Sequence, residues 1–302
     1  MGLQISRNSC PCCGSKLIAK LFACKDYTVS GEVFDIWECS ECTLRFTQDV
    51  PGEDAIGPYY QADTYISHTD TEVGLVNKLY KHARTYTLNW KIKLVRGSAG
   101  LRSGSGALLD IGAGTGAFLY KAFTKGWEVT GLEPDEGARR ICKDKYGLTT
   151  EAPAKLFELS TAQFDVVTMW HVLEHVHGLH QYMDQLKRVL KPTGVILIAL
   201  PNYTSADATH YREYWAAYDV PRHLYHFSPR AMGILVAKHG MKLEYAKPMW
   251  LDAFYIALLS EGYKNGKANL GGALKNGLQS NLLAVKNKQT CSSLVYMIRP
   301  IN

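Results

Sequence analysis

The chain has 302 residues, of which 46% are hydrophobic and 21% are charged. This composition is ordinary for a globular protein with a sizeable core, and it excludes a largely disordered chain. The net charge of +6 at pH 7 is too mild to define a polyanion-binding protein by itself. The apolar runs are too short to span a bilayer, and residues 1–20 lack the pattern of a signal peptide, so we expect a cytoplasmic protein.

Two cysteine pairs with Cys-x-x-Cys spacing lie in residues 1–50, with 25 residues between them. This spacing is typical of a zinc ribbon, in which four thiolates form a closed tetrahedral site. Cys12 falls inside the first pair, but Gly14 directly after the next cysteine suits a tight turn, so we exclude Cys12 from the ligands. We predict a structural Zn²⁺ site, because so short a module has too little core to fold without metal. Its ligands are Cys10, Cys13, Cys39 and Cys42.

Residues 51–106 are predicted to form a lid and a basic helical linker. Residues 71–102 carry seven Lys or Arg against one Glu, whereas residues 1–50 carry five against six Asp or Glu. The basic run could contact an anionic substrate or form a solvated helix face. Tyr60 and Tyr65 precede the helix, and they could either close over the cofactor as a lid or pack between the module and the main domain; we predict that they contribute to the substrate site.

From residue 107 onward, short apolar strands alternate with helices, which is typical of a parallel sheet covered on both faces. Two late strands are separated by a helical insertion at about residues 251–290. We expect an α/β fold, a doubly wound seven-stranded Rossmann-like sheet, with the small zinc ribbon at its N-terminus. The predicted strands are residues 107–111, 127–132, 148–151, 164–170, 195–200, 241–247 and 293–299.

A glycine-rich turn follows the first of these strands, with the sequence Leu-Leu-Asp-Ile-Gly-Ala-Gly-Thr-Gly at residues 108–116. Glycine permits a positive φ and lets a ligand approach the main chain closely. Glu133 ends the next strand, 21 residues after Gly112. A carboxylate at this place can accept hydrogen bonds from both ribose hydroxyls of an adenosine ligand.

These motifs resemble those of class I S-adenosylmethionine-dependent methyltransferases. The glycine-rich turn resembles their first motif, Glu133 resembles their ribose-binding acid, and residues 164–176 and 190–202 resemble their fourth and fifth strands. The resemblance implies that S-adenosylmethionine is the cofactor, and it assigns no residue to the adenine. The implied cofactor-binding residues are Asp110, Gly112, Ala113, Gly114, Gly116, Glu133, Pro134, Trp170 and His171.

The long loop at residues 202–227 is the candidate acceptor site, since ligands bind beyond the carboxyl ends of the strands. Its Pro-Arg-His and His-Phe-Ser segments resemble a group of methyltransferases with N-terminal cysteine ribbons, which includes sugar C-methyltransferases. Histidine is the natural base near neutral pH. We predict that His223 or His226 removes the acceptor's proton, with His171 as a third catalytic candidate. Arg222 is predicted to pair with an anionic group of the substrate.

Glu174 and His175 permit two interpretations. Some quinone O-methyltransferases have Glu-x-x-Glu-His at this position and use a divalent metal. Here His171 replaces the first acid, so the match is incomplete. We therefore expect Glu174 and His175 to have a structural role at a helix entry.

The sequence favours methyl transfer to a small molecule, such as a sugar, a polysaccharide precursor or another biosynthetic intermediate, by in-line displacement. The alternatives are an RNA methyltransferase that grips its substrate with the ribbon and a non-catalytic protein that retains the cofactor-binding fold. The slightly acidic ribbon argues against a nucleic-acid partner, and the intact glycines and Glu133 argue against the non-catalytic protein. The insertion could cover the substrate pocket, make a homodimer contact or contact a lipid surface.

Overall fold

A computed structural model describes residues 4–61, 75–100 and 106–301, and of residues 75–83 it describes the backbone alone. Tyr65 therefore lies outside the described residues. The N-terminal part, which we call the cysteine module (residues 4–51), has five short strands. They are β1 (Gln4–Ile5), β2 (Ile18–Lys25), β3 (Val33–Cys39), β4 (Arg45–Thr47) and β5 (Val50–Pro51).

The rest of the described chain alternates between strands and helices, as expected for this fold class. The elements up to the fifth predicted strand are α1 (Leu75–Ala99), β6 (Ala107–Ile111), α2 (Ala117–Phe123), β7 (Glu128–Leu132), α3 (Glu136–Tyr146), β8 (Phe164–Trp170), α4 (Leu179–Val189) and β9 (Leu190–Pro201). The elements that follow are α5 (Ala206–Tyr211), β10 (Tyr225–His226), α6 (Pro229–Lys238), β11 (Met241–Pro248), α7 (Asp252–Asn265), α8 (Leu270–Lys286) and β12 (Ser293–Pro300). The pair α7 and α8 confirms the predicted helical insertion.

The main sheet is mixed, and its six strands have the order β11-β12-β9-β8-β6-β7. Strands β7, β6, β8 and β9 run parallel, while β12 is antiparallel to both of its neighbours. Of the predicted strand at residues 148–151, only a single bridge between Glu151 and Leu132 is present. Pro153 limits this strand because it has no N–H for a ladder and begins a short helical turn. The Rossmann-like architecture is confirmed. The sheet has six of the seven predicted strands, and the third predicted strand, at residues 148–151, is reduced to one bridge.

Sequence signals fix several helix boundaries. The carboxylate of Asp135 accepts a hydrogen bond from the amide of Ala138 and caps α3. Ser228 caps α6 in the same way, and Pro229 follows at the first helical position. Within the described residues, no helix is both long enough and apolar enough to cross a membrane.

The cysteine module is fused to the main domain. Strand β10 from the main domain pairs with β4, so that Tyr225 lies opposite Phe46 and His226 opposite Arg45. Buried side chains of the module and of the main sheet belong to one continuous core, in which Phe46 shares the interior with Ile198 of β9. The predicted boundary at residue 50 therefore separates two segments of sequence but not two cores.

Candidate active site and candidate zinc site

The glycine-rich turn joins β6 to α2, and its three glycines serve different purposes. A Cβ at Gly112 would lie 2.3 Å from the side chain of Val172, and one at Gly116 would lie 2.2 Å from Cys142 Sγ. Packing therefore requires glycine at both positions. Gly114 has a φ of +55° and no heavy atom within 4 Å of a built Cβ, so its open side leaves room for a ligand. Ala113 lies between Gly112 and Gly114 and donates its N–H to the carbonyl of Leu132.

Glu133 stands at the end of β7, directly across from this turn. Its buried carboxylate accepts hydrogen bonds from the amides of Gly114 at 2.7 Å and Asp135 at 3.0 Å. Burial raises its pKa, although both amides act in the opposite direction. Pro134 is exposed next to it, and its carbonyl accepts a bond from Arg139. A carboxylate held against the glycine-rich turn is in the right place to accept ribose hydroxyls.

Lys91, whose charge acts on the buried Asp110, was not named by the sequence analysis. Asp110 accepts a hydrogen bond from Thr168 at 2.6 Å, and burial raises its pKa to about 7. The ammonium of Lys91, on α1, lies 4.3 Å from the ring centroid of Trp170. Burial lowers the pKa of Lys91 to about 8, although Asp110 and Asp252 oppose the shift. Only the folded structure brings α1 to the end of β8, and no local signal marked Lys91 among the other basic residues of its helix.

His171 follows β8 in a left-handed conformation, with a φ of +59°. Such a backbone is uncommon outside glycine and concentrates at functional sites. Its ring contacts two carboxylates, with Nε2 3.1 Å from Asp252 Oδ2 and Nδ1 3.5 Å from Glu174 Oε1. Burial lowers its pKa, but the two carboxylates outweigh burial and raise the pKa to about 9. A histidine that is protonated at pH 7 does not fit the predicted role of base. We therefore keep His171 only as a cation at the cofactor edge, by which we mean the carboxyl ends of β6, β7 and β8.

Glu174 links this edge to the loop at residues 202–227, which we call the acceptor loop. Its side chain is 1% exposed, and neither carboxylate oxygen has a hydrogen-bond partner among the described residues. Burial acts to raise its pKa, but the imidazole of His171, whose Nδ1 lies 3.5 Å from Oε1, outweighs burial and lowers the pKa. A buried, ionised carboxylate without hydrogen bonds is costly unless a ligand or a cation compensates for it. This environment does not fit the purely structural role that we expected from the sequence.

His175 and His223 face each other, with ring centroids 4.6 Å apart. His175 Nδ1 lies 3.1 Å from the carbonyl of Arg222 and 3.0 Å from the hydroxyl of Tyr60. Burial and the neighbouring His223 lower the pKa of His175 to about 4, so it is neutral at pH 7. Tyr60, predicted for the substrate site, therefore contacts His175, and burial raises the pKa of Tyr60.

The tautomer of His223 is fixed by the main chain. Its Nδ1 lies 2.8 Å from the carbonyl of Ala217, and a carbonyl can only accept, so Nδ1 carries the proton. The lone pair is then on Nε2, which lies 4.0 Å from the carboxylate of Asp219. This arrangement suits a general base, because a nearby carboxylate stabilises the imidazolium that forms.

The same residues could also hold a metal ion. One oxygen of Glu174 and one ring nitrogen of each of His175 and His223 lie within 4.8 Å of one another. Histidine ligands usually donate their second nitrogen to a carbonyl, and both rings have a carbonyl at hydrogen-bond distance from Nδ1. A divalent cation and a general base are therefore two chemical uses of one cluster.

Arg222 does not occupy the position predicted for it. Its side chain is 1% exposed, and its guanidinium pairs with Asp26 and Asp219 at 3.0 and 2.7 Å. A third bond goes to the carbonyl of Tyr59. Two carboxylates already neutralise the guanidinium, so we remove Arg222 from the set of residues that would bind an anionic substrate.

His226 is also placed differently from our expectation. It lies in β10, within the sheet of the cysteine module, and Nε2 is 3.1 Å from the hydroxyl of Thr47. Burial and the charges of His223 and Arg45 hold its pKa well below the usual value. We therefore remove His226 as a candidate base, because its ring is used to join β10 to the module.

The four predicted cysteine ligands lie together, and their sulfur atoms fall within 4.8 Å of one another. Two sulfur–sulfur distances are 3.4 Å (Cys10 to Cys42) and 3.6 Å (Cys13 to Cys39). A tetrahedral zinc site with Zn–S bonds of about 2.3 Å needs separations of about 3.8 Å. The donor set therefore fits zinc, while Cys12 is not part of the cluster and its sulfur lies 3.7 Å from the carbonyl of Ala231.

Comparison with known proteins supports the interpretation of the cofactor edge. A family model described as a methyltransferase domain matches residues 80–246, which is 167 of the 302 residues. A ubiquinone biosynthesis O-methyltransferase from Maricaulis maris is 32% identical over 105 residues, or 32% of this chain and 41% of that protein. A demethylmenaquinone methyltransferase from Tropheryma whipplei is 26% identical over 119 residues, or 38% of this chain and 50% of that protein. The chain thus spans at most half the length of either relative.

The fold comparison agrees with the family model. A solved structure assigned as a sarcosine dimethylglycine methyltransferase from Galdieria sulphuraria superimposes with a TM-score of 0.52. The match covers 72% of this chain and 87% of that one, at 13% sequence identity, and it shows a shared fold. Because the family model spans more than half of the sequence and this sheet carries the glycine-rich turn opposite Glu133, the chain belongs to the methyltransferase-domain family.

Proposed function

We propose that the chain methylates a small biosynthetic intermediate at a hydroxyl group or an acidic carbon, with His223 as the general base. The observation that carries this proposal is the bond between His223 Nδ1 and the carbonyl of Ala217 at 2.8 Å. In the neutral imidazole this bond places the lone pair on Nε2, and among the described residues no hydrogen bond occupies Nε2. A base is needed for these acceptors, because the attacking oxygen or carbon must lose a proton.

The proposed residues form a continuous path from the cofactor edge to the acceptor. His171, at the end of β8, contacts Glu174, and Glu174 lies beside His175 and His223. S-adenosylmethionine supplies an electrophilic methyl group on a sulfonium. With S-adenosylmethionine bound, Nε2 of His223 would take the acceptor's proton as the methyl group is transferred to the acceptor, and S-adenosylhomocysteine would be the leaving group. Asp219 then stabilises the imidazolium of His223.

The likeness to quinone-pathway methyltransferases supports a small acceptor. The relative from Maricaulis maris is named as an O-methyltransferase of ubiquinone biosynthesis, and a hydroxyl is the kind of acceptor that requires a base. A sugar acceptor stays a prediction from the loop motif at residues 221–228. We also propose that Tyr60 orients the acceptor, because its hydroxyl reaches the histidine pair. We further propose that Zn²⁺ occupies the four-cysteine site and has a structural role.

Turnover of hydroxyl-bearing acceptors would test the base. S-adenosylhomocysteine release should be measured with panels of catechols, phenols and sugar nucleotides, and cofactor affinity by calorimetry. We expect His223→Gln to lower kcat about 10²- to 10⁴-fold with cofactor affinity unchanged. His210→Gln is the matched control, because His210 is exposed in the same long loop. Full turnover by the His223 variant would contradict the assignment.

Metal analysis separates the base from the metal-ion alternative. With His223 as base, each purified chain holds one zinc ion, in the four-cysteine site, and added Mg²⁺ does not change turnover. A second metal ion per chain that is lost in Glu174→Gln, together with activity that depends on it, would instead assign the cluster to a cation.

A further inference from the structure

The helix α8 carries an exposed apolar stripe that the methyltransferase reaction does not use. The stripe repeats every three or four residues, so its members share one face of the helix. Each of them is 50–70% exposed, although leucine and valine are usually buried. The stripe consists of Leu270, Leu274, Leu278, Leu282 and Val285.

A different face of α8, which packs against the rest of the fold, explains why the stripe points outward. It consists of small residues, Ala273, Gly277, Ser280 and Ala284, which are buried. A Cβ at Gly277 would lie 2.7 Å from the ring of Phe254 on α7, so the two helices are in close contact there. Ser280 also donates a hydrogen bond to Asp207 at 2.6 Å. These contacts fix the rotation of α8, and the apolar stripe cannot turn inward without breaking them.

The charges around the stripe have one sign. Residues 262–302 contain five lysines and one arginine and no aspartate or glutamate. Lys275 lies three residues before Leu278 of the stripe and Lys286 lies four residues after Leu282, so both lysines lie beside it. Among the described residues, neither lysine forms a salt bridge. Trp250, whose carbonyl accepts a bond from Asn281 of α8, adds an exposed aromatic ring close to the helix.

We propose that α8 docks on an anionic membrane surface, with its apolar stripe in the headgroup boundary and its lysines against lipid phosphates. An apolar face flanked by lysine and tryptophan is the pattern of an interfacial amphipathic helix. A second copy of this chain fits less well, because a two-fold contact through α8 would bring two lysine-rich faces together with no carboxylate from residues 262–302 between them. Anionic lipid satisfies both the apolar stripe and the charge.

Helices α7 and α8 are consecutive, so a membrane contact through α8 has a consequence for access to the active site. Helix α7 begins with Asp252, whose carboxylate contacts His171, and Ser260 accepts a hydrogen bond from the amide of Ala216 in the acceptor loop. A membrane beneath α8 would therefore lie next to the elements that form the candidate acceptor site. The docking proposal does not depend on the identity of the base or of the acceptor.

Co-sedimentation of the full chain with vesicles would test the proposal. Vesicles of phosphatidylcholine alone and of phosphatidylcholine with phosphatidylglycerol should be compared at low and high salt. We expect binding to the anionic vesicles, weakened by salt. Leu274→Glu with Leu278→Glu should weaken binding about tenfold or more. Lys275→Gln with Lys286→Gln should weaken it about fivefold for each lysine.

A matched control separates the stripe from a general effect of added charge. Leu17→Glu with Leu21→Glu changes two leucines that are 60% and 44% exposed in the cysteine module, and this variant should bind vesicles as the wild type does. Equal binding by both glutamate pairs, or a wild type that stays in the supernatant, would overturn the proposal. A dimer in light scattering that the Leu274 and Leu278 variant dissociates would assign the stripe to a second copy instead. With a soluble acceptor, release of S-adenosylhomocysteine should be unchanged in the Leu274 and Leu278 double variant and in the Lys275 and Lys286 double variant.

Discussion

The guanidinium of Arg222, in the acceptor loop, lies 3.0 Å from the carboxylate of Asp26, in the cysteine module, and both side chains are at most 1% exposed. Arg222 also directly precedes the proposed base, His223. The pair therefore ties the module to the loop that carries the base. This contact gives the module a function within the fold, namely to hold the acceptor loop in place.

Removing the guanidinium should destabilise the protein strongly. In Arg222→Met, Asp26 and Asp219 lose their shared cation, and an uncompensated buried charge costs about 3–5 kcal/mol. We expect the free energy of unfolding in urea to fall by that amount. Arg230→Met is the control, because Arg230 donates a hydrogen bond to the exposed carbonyl of Glu41. A loss below about 1 kcal/mol would show that the buried pair does not join the two parts.

Asp26 should make the stability depend on acidic pH. Burial acts to raise its pKa, but Arg222 and the amides of Ser30 and Thr28 outweigh burial and lower the pKa to about 2. A lowered pKa stabilises the fold above the unfolded value of about 4, by about 2 kcal/mol, and this is lost as the pH falls from 4 to 2. Urea unfolding at several pH values should show a shallower decline over this window in Asp26→Asn. An identical decline would contradict the assignment.

Loss of one proposed zinc ligand should affect the whole fold. Cys39→Ser should abolish zinc binding, measured as zinc per chain, and should lower the melting temperature. The core is continuous between module and main sheet, so we expect the effect to reach the main domain rather than stay local. Cys12→Ala is the matched control, since Cys12 is buried next to the ligands but lies outside their cluster. Zinc retained in the Cys39 variant would contradict the four-cysteine site.

Glu133 should determine cofactor affinity. Its carboxylate is positioned by the amides of Gly114 and Asp135, and hydrogen bonds to a charged group contribute about 1.5–3 kcal/mol each. We expect Glu133→Ala to weaken S-adenosylmethionine binding at least about tenfold in calorimetry. Glu136→Ala removes an exposed carboxylate three residues away, which pairs with Arg140 and should leave affinity unchanged. Equal affinities in the two variants would remove Glu133 from the site.

The sequence by itself determined the alternation of strands and helices, the glycine-rich turn, Glu133 and the four cysteines. These features depend on local periodicity and on short spacings, which neighbours in sequence can specify. The two late strands and the caps at Asp135 and Ser228 were predictable for the same reason. The length of the third predicted strand, at residues 148–151, did not follow from periodicity alone, because Pro153 begins a helical turn directly after it.

Only the tertiary structure decided the roles of the charged residues. Arg222, His223 and His226 lie within five residues of one another, yet one pairs with carboxylates, one presents a free nitrogen and one joins a sheet. Their roles depend on partners such as Asp26 and Thr47, which are more than 170 residues away in sequence. Burial and charge act through space, so the pKa and the availability of a side chain follow from the folded neighbourhood and not from its motif.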